Sequence, residues 1–397
     1  MLEPGATLWE GIFAADFTLE QVRRYAVSLA ESLVARKWSC LLTYDTRFLS
    51  NLLAEDIARV LSACRVPVSL AAAPSPLPAV YYALKQRQAD CALMVSARNR
   101  PYWYNGLLLI EPDSDEPPIP WLPNPSRLLA EQPATPPSAM ASVVNQPFPF
   151  LPSEQQIAPP NSRVIRSPYM DMLRQVIDIN LIRRATLTII VDPMHGTTAG
   201  YFPALIGDTA QTMAIEINRE IDPLFGKTVP LPAEASLNRL RKLVRESDSH
   251  LGIALSADGT ALSVIDNLGE PLSYLELVLL LGSYLSQHYR QKGMVVAPPP
   301  ARGTPLANSV DNLSDWQDEF GLQIELSADA TNRITTLASE PSSSLVVGCT
   351  NEGQILLYRY SPYPDAVLAG LLLVEMVARK GMKLGALIID LRSRLGI

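Results

Sequence analysis

The sequence predicts an α/β fold of three consecutive blocks, and three observations carry that reading. Short apolar runs ending in a polar residue alternate with amphipathic helical repeats, the pattern of strands and helices in an open sheet. The alternation stops at a proline-rich stretch, restarts near Ser167 and starts again near Gly293. The composition, 48% hydrophobic and 18% charged, belongs to a chain that buries cores rather than one that stays unfolded.

In the first block, FTLEQVRRYAVSLAESLVARK repeats apolar residues at helical spacing (Val22, Tyr25, Ala26, Leu29, Leu33) behind Thr18 as N-cap. SCLLTYD reads as a buried strand and SNLLAEDIARVLSACR as a helix capped by Ser50. VPVSLAA is a strand, PSPLPAVYYALKQRQ a helix opened by prolines, and DCALMVSA another strand. In such sheets the working residues sit on loops beyond the strand C-termini. Between Pro112 and Pro160 lie fourteen of the chain's 34 prolines with little periodicity, as in a linker or extended segment.

The second block opens with PYMDMLRQVIDINLIRR as one helix and TLTIIVD as a strand. TTAGYFPALIGDT (helix), MAIEIN (strand), ASLNRLRKLVRE (helix), LGIALSAD and ALSVID (strands) follow, and SYLELVLLLGSYLSQHYR is a strong amphipathic helix. The third block holds strands at MVVAPPP, QIEL, SLVVGC and ILLYRY, with helices around NSVDNLSDWQDEFG and from Pro364 to Arg379. The expected boundaries are 1–111, the segment 112–160, 161–292 and 293–397.

A net charge of −7 without a basic cluster excludes non-specific nucleic-acid binding. The run AVLAGLLLVEMVA is interrupted by Glu375 and is too short to span a bilayer, and the first residues lack a signal-peptide layout. Cys40, Cys64, Cys91 and Cys349 have no metal-type spacing and read as reduced core thiols, so a cytoplasmic location is expected.

Eight landmarks occur in order: PGATLWEGIFAADFT, YDTRFLS, PSPLPA, MVSARNRPYWYNG, VDPMHG, DPLFG with PLP, LGIALSADGTALSVID and GCTNEG. Together they resemble the α-D-phosphohexomutases, the phosphoglucomutase, phosphomannomutase and phosphoglucosamine mutase enzymes, over essentially the whole chain. The resemblance implies three consecutive α/β/α domains with mixed sheets covered by helices. It also implies a chemistry of four parts: a phosphoserine carrier, a Mg²⁺ held by three aspartates, basic residues clamping the sugar phosphate, and a Glu/Ser loop reading sugar hydroxyls.

Each part departs from the pattern here. The family's TASHNP falls on Ser96 to Pro101, placing Arg98 at the carrier position. A guanidinium carries no phosphoryl group and stays charged at any accessible pH. Ser96, up to about 7 Å away along an extended chain, is the substitute nucleophile a rebuilt loop would need. The metal loop DGDADR falls on Ser256 to Ala261, leaving Asp258 as sole carboxylate with Ser256 and Thr260 at the other ligand positions. No cofactor is therefore expected, and the Mg²⁺ site reads as lost. The sugar loop falls on Gly348 to Gly353, with Asn351 in place of its serine. At the N-terminus Glu10 replaces the arginine that faces the carrier. The sequence ends at Ile397, where the resemblance would begin a fourth domain, so that domain is expected to be absent.

These departures give the leading expectation of a non-enzymatic binding, regulatory or structural subunit, with a protein partner or a second copy in the cleft left open by the fourth domain. The alternative is a phosphosugar-acting enzyme, a mutase or phosphatase with a rebuilt site. A third reading is a sugar-phosphate sensor, with Arg47, Arg98, Arg100 and Asn351 as ligand-binding residues. Asp45 with Arg47 is expected to hold a helix start as a buried ion pair, and His195 to be a turn residue.

Overall fold

The computed structural model describes residues 6–111, 161–207, 211–308, 312–340 and 342–397. The proline-rich stretch 112–160 lies outside the described residues. The chain divides into two compact units. One comprises Gly5–Tyr169 with Asp222–Pro230, and the other Met170–Ile221 with Leu231–Ile397.

The first unit carries a six-stranded sheet in the order β1-β5-β4-β2-β3-β6. Its strands are β1 (Ala6–Ile12), β2 (Cys40–Tyr44), β3 (Val68–Ala71), β4 (Cys91–Val95), β5 (Tyr104–Ile110) and β6 (Asn161–Arg163). The sheet is mixed: β4, β2, β3 and β6 are parallel, whereas β5 returns antiparallel beside β4 and pairs antiparallel with β1. The short loop between β4 and β5 permits only that return, because a parallel crossover needs a dozen or more residues. Helix α1 (Leu19–Arg36) starts at a capping box in which Thr18 and Gln21 satisfy each other's backbone N–H groups. It packs on α2 (Ser50–Ala63) through Val22, Ala26, Leu29 and Leu33 against Ile57 and Leu61, and a buried Arg23–Asp56 pair at 2.7 Å joins the two helices. Ser50 is not the cap of α2. Leu49 holds that position at φ 60°, and the Ser50 hydroxyl donates to Asp45 at 2.9 Å. Helix α3 (Leu77–Lys85) opens behind Pro76.

The second unit holds two four-stranded sheets, β10-β9-β7-β8 and β12-β11-β13-β14. The first is built from β7 (Thr188–Asp192), β8 (Met213–Glu216), β9 (Leu251–Leu255) and β10 (Leu262–Asp266). The run expected as one helix forms two, α4 (Arg166–Val176) and α5 (Ile179–Arg184), because Asp178 caps α5 by accepting from the Leu181 N–H at 2.9 Å. Helices α6 (Tyr201–Ile206), α7 (Asn238–Glu246) and α8 (Tyr274–Tyr289) follow. The other sheet comprises β11 (Gly293–Ala297), β12 (Leu322–Leu326), β13 (Leu345–Cys349) and β14 (Ile355–Leu356), with α9 (Leu313–Phe320), α10 (Ala330–Ala338), α11 (Ala366–Lys380) and α12 (Leu384–Arg394). The segment ILLYRY yields only the two-residue β14, since the chain turns at Leu357–Tyr360.

Helix α11 is buried at every residue from Ala366 to Ala378. A Cβ at its Gly370 would sit 2.9 Å from the ring of Phe202 and 3.4 Å from Ile253, so glycine is what admits those side chains. This enclosure explains why the run is apolar except at Glu375, whose carboxylate accepts from the Tyr289 hydroxyl at 2.7 Å and pairs with Arg379 at 3.0 Å. Among the described residues no helix is long and apolar enough to cross a membrane. The four cysteines are free thiols, three of them buried.

Candidate functional site

In the first unit the residues Ser96–Trp103 form the turn between β4 and β5. Arg98 stands at φ 53°, a left-handed conformation that costs a non-glycine residue energy, and its N–H donates to the Ser96 hydroxyl at 2.9 Å. Ser96 is fully buried, so the hydroxyl named as a substitute nucleophile serves as an acceptor inside its own turn.

Arg47 fixes the turn. Its Nε donates to Asp45 at 3.1 Å, Nη1 to the carbonyls of Pro101 (2.9 Å) and Tyr104 (3.1 Å), and Nη2 to those of Arg98 and Arg100 (both 2.6 Å). Guanidinium has five N–H donors, and these contacts engage all five. Asp45 in turn accepts from the Arg47 N–H and the Ser50 hydroxyl at the start of α2. Arg47 thus has no N–H left for a ligand, which removes it from the expected anion cradle.

Arg100 differs. It is exposed, reaches Glu10 on β1 at 2.5 Å, and lies 5.6 Å from the centre of the Tyr104 ring. The β1–β5 register, with Glu10 opposite Gly106, brings the carboxylate there.

In the second unit, Ser256–Ala261 forms the turn between β9 and β10. Asp258 Oδ1 accepts from Ser256 Oγ (2.6 Å), Thr260 N (3.1 Å) and Thr260 Oγ1 (2.8 Å), and all three residues are buried. Ser256 Oγ itself accepts from the N–H of Ala261 at 2.9 Å. Magnesium takes hard oxygen ligands in near-octahedral geometry, usually one or two carboxylates together with waters and substrate phosphates. One carboxylate is present, one of its oxygens is already surrounded by donors, and no group of three metal-ligating side chains occurs among the described residues.

Two further loops meet this turn. In the VDPMHG segment, Asp192 accepts from Met194 N at 2.8 Å and Asn218 Nδ2 at 2.9 Å. Burial pushes the Asp192 carboxyl up, and those hydrogen bonds oppose the shift. His195 Nδ1 lies 2.8 Å from the Glu220 carbonyl, as expected of a turn residue donating from that nitrogen. A Cβ on Gly196 would come within 2.2 Å of Ala257 Cα. Thr197 donates from both N–H and hydroxyl to the Ala257 carbonyl.

The third loop is Gly348–Gly353. Thr350 Oγ1 is taken up by the N–H groups of Glu352 and Gln354, while Asn351 and Glu352 are exposed and Asn351 Nδ2 donates to the Ala328 carbonyl at 3.3 Å. Gln354 Nε2 reaches Thr260 Oγ1 at 3.5 Å, Ile355 N donates to the Thr260 carbonyl, and Ala366 N, at the start of α11, donates to Gly259. The second unit therefore assembles Ser256, Asp258 and Thr260 with the loop of Asn351. The first assembles Arg47, Ser96, Arg98 and Arg100.

Sequence reasoning missed Gln354, Tyr274 and a group of aromatic side chains. Burial pushes the Tyr274 hydroxyl up to about 12, beside the close-packed Gly353. The aromatic group is Phe13, Phe48, Tyr102, Trp103 and Tyr104, which with Leu224 line a cavity of about 240 Å³ in the first unit. The available signal was the placing of aromatic residues at the edges of three motifs: GIF, TRF and PYWY.

Models of the phosphoglucomutase/phosphomannomutase α/β/α domains match this chain, domain I over residues 1–118 and domain II over 167–269. The phosphoglucosamine mutase of Methylococcus capsulatus is 24% identical over 346 residues, covering 86% of this chain and 69% of that protein. Phosphoglucosamine mutase 1 of Shewanella amazonensis is 26% identical, covering 80% and 65%. Among solved structures, the candidate phosphomannomutase of Thermus thermophilus superposes with a TM-score of 0.74 at 19% identity, over 98% of this chain and 83% of that one. A phosphoglucomutase/phosphomannomutase family protein of Burkholderia thailandensis gives 0.68 at 17% identity, over 97% and 78%.

These comparisons correct the expectation of a non-enzymatic subunit. The curated relatives carry enzyme names, and nothing in the comparisons marks a non-catalytic branch. With two domain models in sequence order and a fold shared over nearly its whole length, the chain belongs to the phosphohexomutase superfamily.

Proposed function

We propose that this chain is a phosphosugar-acting enzyme of the phosphohexomutase kind, an intramolecular phosphotransferase or phosphatase whose phosphate-handling loop is rebuilt around Arg98 and Arg100. The match of both domain models carries the reading, since those domains hold the arginine turn and the Asp258 turn. The names of the relatives support phosphosugars as the substrate class.

With a permanent cation at the carrier position, the protein does not store the phosphoryl group there. Arg98 and Arg100 instead hold the substrate phosphate as an anion, the role for which a guanidinium is suited. Phosphoryl transfer depends on positioning and on neutralising charge, and here the guanidinium groups of the β4–β5 turn supply that neutralisation.

Turnover assays with hexose and hexosamine monophosphates, run with and without a bisphosphate activator, Mg²⁺ and EDTA, test this reading. Isomerisation and phosphate release are followed together, alongside the intact mass of the protein. The expected result is turnover insensitive to EDTA with no covalent phosphate at Arg98. Absence of both isomerisation and phosphate release from every substrate would overturn it.

A further inference from the structure

The aromatic cavity beside the arginine turn is assigned to no part of the reaction. Phe48 and Trp103 are 55% and 48% exposed, unusual for large rings in a protein that buries most of its apolar side chains. The rings are held rather than loose. Phe13 meets Phe48 edge-on at 5.9 Å, and Tyr102 meets Trp103 edge-on at 4.9 Å. Their backbones are pinned as well: Phe13 N–H donates to the Trp103 carbonyl at 2.8 Å, and Asn105 Nδ2 donates to the Phe48 carbonyl at 3.4 Å. The cation of Arg100 stands over Tyr104, itself part of the wall.

We propose that this cleft is a ring subsite that stacks the apolar C–H face of a hexopyranose on Trp103 and Phe48, with the sugar's phosphate turned toward Arg100. The inference rests on the phosphosugar reading above and names where the sugar is held. A cavity of about 240 Å³ has room for one substituted six-membered ring. Its walls are mostly aromatic, with Arg47 and Asn105 among them, and the Arg100 cation stands 5.6 Å from the centre of the Tyr104 ring in that wall, which matches a ligand with an apolar face and an anionic end. Arg100 keeps its Glu10 contact in the protein as it stands, so the incoming phosphate shares or displaces that carboxylate.

The test is a titration of the full chain with a hexose 6-phosphate, read by tryptophan fluorescence and calorimetry. Inorganic phosphate and a nucleoside monophosphate are run in parallel. Binding is expected to perturb Trp103 emission and to weaken about tenfold in Trp103→Ala and in Phe48→Ala, one lost stacking contact each. Trp103→Phe should keep the affinity and lose the optical change. Both positions are exposed, so these variants fold.

Undiminished affinity in both alanine variants would overturn the subsite. So would equal binding of phosphate alone, tighter binding of the nucleotide, or self-association abolished by Trp103→Ala, which would make the patch a contact between copies. Turnover with an unchanged KM in Trp103→Ala would sink the subsite and leave the enzymatic reading standing. Ring-dependent binding without turnover on any substrate would do the reverse.

Discussion

Glu10 holds Arg100 at 2.5 Å across 90 residues of sequence, placing a carboxylate on a cation of the β4–β5 turn. The pair is partly exposed, and such pairs contribute about 0–1 kcal/mol to stability. Its effect falls on anion binding, because any phosphate reaching Arg100 competes with a resident carboxylate. Glu10→Gln is therefore expected to leave the melting temperature nearly unchanged and to tighten binding of a sugar phosphate about five- to tenfold. Calorimetry checks this, and an unchanged affinity would count against Arg100 as a phosphate contact.

Arg47→Met removes all five donors that close the Arg98–Tyr104 turn and leaves Asp45 as a buried carboxylate without its cation. Breaking a buried pair in this way costs about 3–5 kcal/mol. Urea unfolding should show a loss of that size. Arg47→Lys should recover little of it, since an ammonium has three donors and no planar fork.

The Asp258 turn makes a prediction about metal. Magnesium at millimolar concentration is expected to leave the melting temperature unmoved, because a ligand that binds the native state must raise it. Asp258→Asn retains an oxygen for the Thr260 and Ser256 donors and should be mild, whereas Asp258→Ala strands those donors and should cost about 1–3 kcal/mol. A magnesium-induced stabilisation abolished by Asp258→Asn would contradict the reading.

His250 supplies a pH dependence. Its Nδ1 accepts from the Thr188 N–H at 3.2 Å, and burial, followed by the charge of Lys383, lowers its pKa below the ordinary value near 6.5. The unfolded chain thus takes up the proton first as pH falls. The stability tied to the neutral ring is complete above pH 6.5 and declines as pH drops from there through the folded-state value. His288, lowered chiefly by burial, adds in the same direction. Unfolding free energies measured from pH 7.5 to 5 should slope downward, and His250→Asn should flatten part of that slope.

Gly196→Ala forces a methyl to within 2.2 Å of Ala257 Cα, backbone that cannot swing aside. The Ser256–Ala261 turn must then move, and the variant should lose both stability and turnover. Hydrogen exchange at Thr260 and Ala261 would locate the disturbance.

Much of the fold was legible because local signals and burial agreed. Thr18 as N-cap announced α1, and the apolar runs VPVSLAA and DCALMVSA read as strands, the second of them buried throughout. Asp45 with Arg47 was readable as an ion pair at a helix start. What sequence could not show was direction and saturation. That β5 returns antiparallel, that Leu49 rather than Ser50 caps α2, and that Arg47 spends every donor on Asp45 and the carbonyls of a distant turn all depend on remote backbone. The charge at Arg98 was visible in the sequence, whereas its left-handed backbone and the inward-facing Ser96 hydroxyl needed the fold. The aromatic cleft was missed because its rings come from separate motifs that only the fold brings together.

Helix α11 has a consequence for how the protein is made. The sheet of β7–β10 is complete in sequence by Asp266, yet Phe202 and Ile253 pack against Gly370 in a helix that ends at Lys380. On the ribosome that middle block must wait for more than a hundred further residues, on the order of ten seconds of synthesis, with an apolar face still open. The nascent chain is then a natural client for chaperones, and a stalled or prematurely terminated product would aggregate rather than persist as a folded fragment.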